Sequence, residues 1–222
     1  MKYLRYLRHR YDYDSVPQFA LNGMGFLGLE IHPFSVFLEG INSVAVRPSL
    51  RPLEELEVGF VGAEDMFAIM AFPDRKLPES ALFWRLAEGH LCLGARRDGE
   101  LIAFTWCCPE TWSYCGRLAL LPNEAYLYDA YTALAFRGRG IAPALRYRLY
   151  EELARKGKVR LYSFTEQLNR PALRFKMKLG ATIIDRGVHV ILLKRLHLGR
   201  AAASPRHRDY RHPSLDLGLR GA

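Results

Sequence analysis

Arg137-Gly138-Arg139-Gly140 sets two guanidinium groups and two residues without side chains directly before Ile141, Ala142 and Pro143. Glycine leaves the backbone amides uncovered, and guanidinium matches phosphate oxygens through paired hydrogen bonds. If a helix begins here, its first N–H groups have no internal partner and its dipole favours negative charge. The chemistry this suits is the holding of a pyrophosphate. The same four letters also fit a tight basic turn with solvated arginines, so the surrounding elements have to decide.

Those elements follow from periodicity. AYLYDAYTAL before the loop, rich in tyrosine and apolar residues, predicts a strand. Beyond the loop Ile141, Leu145, Leu149 and Leu153 recur every four residues with Arg146, Arg148, Glu151 and Glu152 between them, an amphipathic helix ending before Gly157 with Pro143 in its first turn. The motif thus opens a helix after a strand. Upstream, ELEVGFV predicts a strand, EDMFAIMAF and ESALFWRLAEG short helices, and HLCLGARRDGELIAFTWCCPE two strands turning at Asp98-Gly99. Downstream, VRLYSFT predicts a buried strand, NRPALRFKMKLG a helix stopped at Gly180, and ATIIDRGVHVILLKRL a strand pair or bent hairpin. The fold class is α/β.

The wider text resembles the GNAT superfamily of acyl-CoA-dependent N-acetyltransferases. Its signature, Arg or Gln, two residues, Gly, one residue, Gly or Ala, is met by Arg137, Gly140 and Ala142, and its later asparagine with a helix ending Lys-Leu-Gly by Asn169, Lys178, Leu179 and Gly180. The resemblance covers about residues 55 to 194. It implies a mixed, mostly antiparallel central sheet flanked by helices, and transfer of an acetyl or other acyl group from acetyl-CoA directly to an amine. It also implies that Ala130, Thr132 and Leu134 pair through their backbones with the pantetheine arm, that Arg137, Gly138, Arg139, Gly140, Ile141 and Ala142 hold the pyrophosphate, and that Asn169 touches the pantetheine. Asn169 is equally suited to capping the helix near Pro171.

Amine acylation needs a base for the acceptor ammonium and a donor for the thioester oxygen, a role open to the amide of Ala130. Strand alternation puts Glu124, Tyr126, Tyr128 and Ala130 on one face and Ala125, Leu127, Asp129 and Tyr131 on the other. Aligned to the signature, the first set faces substrate, making Glu124, Tyr126 and Tyr128 the catalytic candidates; the two tyrosines serve equally as packing. Asp129 reads as a carboxylate tied into structure unless a bulge shifts the register. Where many relatives carry a tyrosine acid seven residues after the asparagine stands Lys176, read as a solvated helix residue. A non-catalytic acyl-CoA-binding or regulatory module is therefore the alternative function.

Composition narrows the partners. The 222 residues carry a formal charge of +9, of which residues 1 to 14 supply +2 and residues 195 to 222 supply +4. Basic ends are ordinarily solvated, whereas a nucleic-acid groove gathers basic and aromatic residues on the folded body. No nucleic-acid partner is expected; the competing reading, binding through the basic ends, requires a salt-sensitive affinity lost with residues 196 to 222. No membrane span or secretory signal is legible, which makes the expected location cytoplasmic. A homodimer is compatible with the text. Cys92, Cys107, Cys108 and Cys115 form no metal-ligand spacing, adjacent cysteines on a strand point apart, and His90, His189 and His197 stand separate, so no metal is expected and the histidines read as structural or surface residues. The division is an N-terminal extension over 1–54 with no assigned role, the acyltransferase domain over 55–195, and a basic disordered tail over 196–222. The loop TWSYCGRLALLPNE and the first two helices are expected to line the acceptor pocket.

Overall fold

The computed structural model describes residues 29–44, 47–72, 77–112, 118–192 and 196–201. At their centre β3 (Leu91–Arg97) and β4 (Glu100–Cys108) form the expected hairpin, with Asp98 and Gly99 both at positive φ in its turn. β2 (Glu57–Phe60) adds to β3, and β7 (Glu124–Thr132) adds antiparallel to the far edge of β4. Two short strands, β5 (Thr111–Trp112) and β6 (Leu118–Ala119), pair apart from the main sheet.

From β7 the chain crosses through α3 (Ile141–Arg155) to β8 (Arg160–Glu166), which lies parallel to β7. α4 (Arg170–Lys178) follows, then β9 (Thr182–Leu192). β9 is one strand, and its hairpin partner β10 (Leu196–Ala201) comes later than the strand pair expected within 181–196. Residues 196–201, assigned from sequence to a disordered tail, are therefore part of the sheet, and residues 202–222 lie outside the described residues.

The N-terminal segment has a larger part than an appended extension. β1 (Leu29–Glu39) inserts between β8 and β9, antiparallel to both, giving the sheet order β10-β9-β1-β8-β7-β4-β3-β2. Pro33, which has no N–H to give, stands one residue before the β8 ladder begins at Phe34. INSVAV, β-like by composition, opens instead with a 3-10 turn over Ile41–Ser43, and residues 45 and 46 lie outside the described residues.

Both faces of the sheet are covered. On one, α3 buries Ile141, Leu145, Leu149 and Leu153, the stripe the sequence predicts, against Leu93, Ala95, Ala125, Leu127 and Leu161. On the other, α1 (Met66–Met70) and α2 (Glu79–Ala87) bury Met66, Ile69 and Leu82 against Phe104 and Trp106. Cys107 and Cys108 point to opposite faces as expected. No described helix is long and apolar enough to cross a membrane.

Candidate active site

Parallel pairing of β7 with β8 lasts only from Glu124↔Arg160 to Leu127↔Ser163. Past that point β7 stays paired with β4 as far as Thr132, while β8 stays paired with β1 as far as Glu166. The two inner strands therefore part, and backbone groups that a continuous ladder would occupy open into a gap. The gap widens into a cleft of about 460 Å³, bounded by β7 from Leu127 to Thr132, by Phe164, Thr165 and Glu166 of β8, and by α3 and α4.

A bulge sets the geometry of its β7 wall. Trp106 faces Tyr128 and Thr105 faces Ala130, so Asp129 is the extra residue, and its φ of 46° is tolerated because aspartate visits the left-handed region more readily than most residues. Simple alternation had placed Ala130 with Tyr126 and Tyr128. The bulge moves Ala130 to the α3 face and brings Tyr131 to the face of Tyr128, where Tyr131 stacks on Phe104 and Tyr128 on Trp106. The Asp129 carboxylate is held by Arg85 at 2.6 Å, and that guanidinium lies over the rings of Trp106 and Tyr128. The bulge that the sequence reading of Asp129 set as its exception is therefore present at Asp129 itself, and the residue lines the cleft with its carboxylate paired to Arg85.

At the outer end of the cleft, Gly138 and Gly140 both take φ of 79°, and Gly140 is the N-cap residue of α3. Among the described residues the amides of Gly138, Gly140, Ile141 and Ala142 donate to no backbone carbonyl, and Pro143 has no N–H to offer. Ala130, Thr132, Arg137, Ala142 and Asn169 line the cleft; Gly138, Arg139, Gly140 and Ile141 do not, lying in the loop and helix start between the two lining residues Arg137 and Ala142. Leu134 does not reach it, being 51% exposed in a 3-10 turn over Leu134–Phe136. Arg137 folds back, its Nε donating to the Thr132 carbonyl at 2.8 Å and its guanidinium lying over Tyr131, while Arg139 lies over Phe136. Asn169 Oδ1 accepts from the Ala172 amide at 3.1 Å, so the cap is present on a residue that also lines the cleft.

The three catalytic candidates separate. Tyr128 lines the inner end of the cleft, and its hydroxyl meets His90 Nδ1 at 2.6 Å. Burial pushes the Tyr128 hydroxyl well above its ordinary pKa, so it stays protonated. Tyr126 is buried and stacks on Tyr128 with centroids 5.6 Å apart. Glu124 sits at the far end of β7, where its carboxylate accepts from the Tyr162 hydroxyl at 2.8 Å and the Leu121 amide at 3.1 Å and lies 3.5 Å from Arg160 Nε. The structure brings Tyr126 and Tyr128 together and leaves Glu124 apart.

Sequence reasoning missed four residues. His90, read as a structural or surface residue, is buried in contact with Tyr128, and Cys108 is buried beside Tyr126. Burial raises the Cys108 thiol, but hydrogen bonds from His90 and Thr111 outweigh it and bring the pKa down to about 7. Lys176, expected in solvent, is 4% exposed, and Arg146, expected on the polar face of α3, is 2% exposed; both line the cleft from beneath. Lys176 Nζ donates to the Ser163 hydroxyl and to the Phe164 carbonyl at 3.3 Å and lies 3.7 Å from Glu39 Oε1. Glu39 comes from β1, so no local pattern around Lys176 could have announced it. Burial drives the Lys176 pKa down to about 8, with Glu39 opposing and Arg146 adding to the fall.

A sequence model of the Acetyltransferase (GNAT) family matches residues 61–181. No curated protein sequence matches significantly. Among solved structures, a GCN5-related N-acetyltransferase from Sphaerobacter thermophilus aligns at TM-score 0.55 and 17% identity, covering 78% of this chain and 56% of its own. A GNAT-family acetyltransferase from Colwellia psychrerythraea aligns at 0.53 and 21%, covering 74% and 57%. A glucosamine N-acetyltransferase region of a fungal multi-domain β-N-acetylglucosaminidase aligns at 0.54 and 16%, covering 84% of this chain and 23% of that one. At these identities the likeness is one of fold, and the chain spans little more than half the length of the two bacterial structures. With the family match extending over more than half of the sequence, the parted β7 and β8 and the glycine-rich start of α3 belong to a chain that is a member of the GNAT acetyltransferase family.

Proposed function

We propose that the protein is an N-acetyltransferase that takes its acyl group from acetyl-CoA and passes it directly to an amine. The observation carrying this reading is the cleft itself, a gap between two parallel strands that runs to a helix start with uncovered amides. The pyrophosphate sits on the amides of Gly138 to Ala142 at the α3 N-terminus, where the helix dipole and Arg139 favour it. The pantetheine arm lies along Ala130 and Thr132, with Asn169 opposite. The Ala130 amide donates to the thioester oxygen as it gains charge.

The acceptor approaches from the face that carries α1 and α2. There Tyr128 and His90 form a two-member path that can take the proton released by the acceptor nitrogen, with His90 as the group able to hold it. Tyr126 and Trp106 both stack with the Tyr128 ring, and the Arg85 guanidinium lies over it. Neither Glu124 nor Asp129 is given this role, because both carboxylates are engaged by arginines.

Calorimetric titration with acetyl-CoA, CoA and dephospho-CoA tests the cofactor. Binding on the order of micromolar, about −8 kcal/mol, is expected. Gly140→Glu, which adds a carboxylate at the N-cap of α3, strains a φ of 79° and brings a Cβ within 3.3 Å of Pro52, should weaken binding at least about tenfold. Unchanged affinity in that variant overturns the pyrophosphate assignment. Binding without release of free thiol across a panel of amines would favour the non-catalytic module.

A further inference from the structure

A row of buried polar groups runs from Tyr128 away from the cleft. Leu91 of β3 pairs with Cys107 of β4, so the next position outward places His90 across from Cys108, which pairs on its other side with Tyr126 of β7. Side chains opposite one another on neighbouring strands share a face and lie within contact distance. His90 and Cys108 are both buried there, and His90 Nδ1 meets the Tyr128 hydroxyl at 2.6 Å. Because that hydroxyl stays protonated, it is the donor and Nδ1 the acceptor, which leaves the ring proton on Nε2. His90 in turn gives a hydrogen bond to the Cys108 sulfur. The sulfur is also 3.3 Å from Thr111 Oγ1 and takes the backbone amides of Glu110 and Thr111. These donors outweigh burial and bring the thiol down to about 7, whereas Cys107, on the opposite face of the same strand, is pushed up to about 12 by burial.

We propose that Cys108 is a positioning residue which, as a thiolate, fixes the His90 ring with Nδ1 toward Tyr128 and stabilises the imidazolium that forms when the acceptor's proton arrives. This rests on the amine-acylation reading of the cleft. In the step, the acceptor nitrogen attacks the carbonyl carbon, the C–N bond forms, and the C–S bond breaks with its electron pair going to the sulfur of CoA. The acceptor nitrogen gives its proton to the Tyr128 oxygen as Tyr128 gives its own to His90 Nδ1. His90 is then an imidazolium with its Nε2 proton still directed at the Cys108 thiolate. After the product leaves, the proton returns through Tyr128 to water in the cleft. The anion behind the ring makes His90 a better holder of the proton without itself taking one. The titratable and charged groups around Cys108 are His90 from the turn between α2 and β3, Tyr126 and Tyr128 from β7 and Tyr162 from β8, with the Arg85–Asp129 pair beyond Tyr128.

The test compares turnover of acetyl-CoA with an amine of the panel, from about pH 5.5 to 9, in the unaltered protein and in Cys108→Ser. Serine keeps the size and the hydrogen bonds of the thiol but stays neutral throughout. Ionisation of the amine affects both proteins alike and cancels in the ratio of their kcat/KM values. That ratio should lie at about one tenth or lower above pH 8 and climb toward one in acid, with a midpoint of about 7, because there neither protein carries the thiolate. Acetyl-CoA affinity should be the same in both. A deficit of equal size at every pH, or no deficit, overturns the role of Cys108 and leaves the transfer reading standing. A second measurement covers a Cys108→Ser chain that does not fold. In Cys115→Ser, with Cys92 and Cys107 raised by burial, the ultraviolet absorbance of thiolate should grow with a midpoint of about 7. Absence of thiolate below about pH 8.5, the range of an ordinary thiol, overturns the proposal. Acetyl-CoA that binds while no amine is acylated overturns the transfer reading itself, and this role with it.

Discussion

Tyr128 and Lys176 reach the inner end of the cleft from opposite faces of the sheet and have different partners, His90 for the first and Ser163, Phe164 and Glu39 for the second. Tyr128→Phe removes only the hydroxyl that meets His90 and keeps the ring stacked on Trp106 and Tyr126. It should lower kcat/KM for the amine by about 100-fold, within the usual span of general base catalysis, with acetyl-CoA affinity unchanged. Full turnover in that variant would remove the hydroxyl from the proton path. Glu124 belongs to another class of effect. Its carboxylate accepts from Tyr162 and from the Leu121 amide beside Arg160, so Glu124→Ala leaves the buried Tyr162 hydroxyl without its acceptor and should cost about 2 kcal/mol of stability, measured by urea unfolding. A loss below about 0.5 kcal/mol would mean that the network contributes little.

At the scale of elements, β1 decides what the minimal folding unit is. It is paired along both edges, and it carries Phe37 and Glu39 into contact with Lys176. A chain beginning at residue 55, the domain start suggested by sequence texture, would leave facing edges of β8 and β9 unpaired and Lys176 without its counter-charge. That truncation should give aggregated or unfolded protein; a monomeric, cooperatively melting product would contradict the arrangement. The junction between α4 and β9 depends on the same segment. Gly180 has φ of 68°, and a Cβ there would stand 2.2 Å from the Ser43 carbonyl oxygen. Gly180→Ala should therefore lower stability by about 2 kcal/mol or more, visible as a depressed Tm.

For the whole molecule, the buried charges couple the site to stability through pH. Lys176 has its pKa lowered from 10.5 to about 8, so between those values the unfolded chain binds more protons than the folded one. Stability contributed by this group therefore rises as the pH climbs from about 8 to 10.5, with a slope of at most about 1.4 kcal/mol per pH unit. Below pH 8 both states are protonated and the full cost of the buried ammonium is felt. Glu39 works in the other direction: burial would raise its pKa, but Lys176 and Arg146 outweigh burial and hold it below the usual carboxylate range. Its contribution is lost only as the pH falls through that lowered value. Denaturant midpoints measured from pH 7 to 10 in the unaltered protein and in Lys176→Met should show the alkaline rise in the first and not in the second; equal curves would place Lys176 outside this linkage.

The amino-acid sequence by itself determined what depends on neighbours along the chain. The hairpin at Asp98-Gly99, the leucine stripe of α3, the glycines at its start and the cap at Asn169 are local signals, each with a short-range physical cause, and the family resemblance rests on two of them. What only the tertiary structure decided involves residues distant in sequence. Alternation could not foresee that Asp129 bulges, because the bulge is defined by the register against β4 and the Arg85 contact. Nor could the polar spacing of Arg146 on α3, or the place of Lys176 before a glycine stop, show that both are buried. Their carboxylate partner lies on a strand more than 100 residues upstream, and a charge is admitted to the interior only when the whole fold brings its counter-charge there.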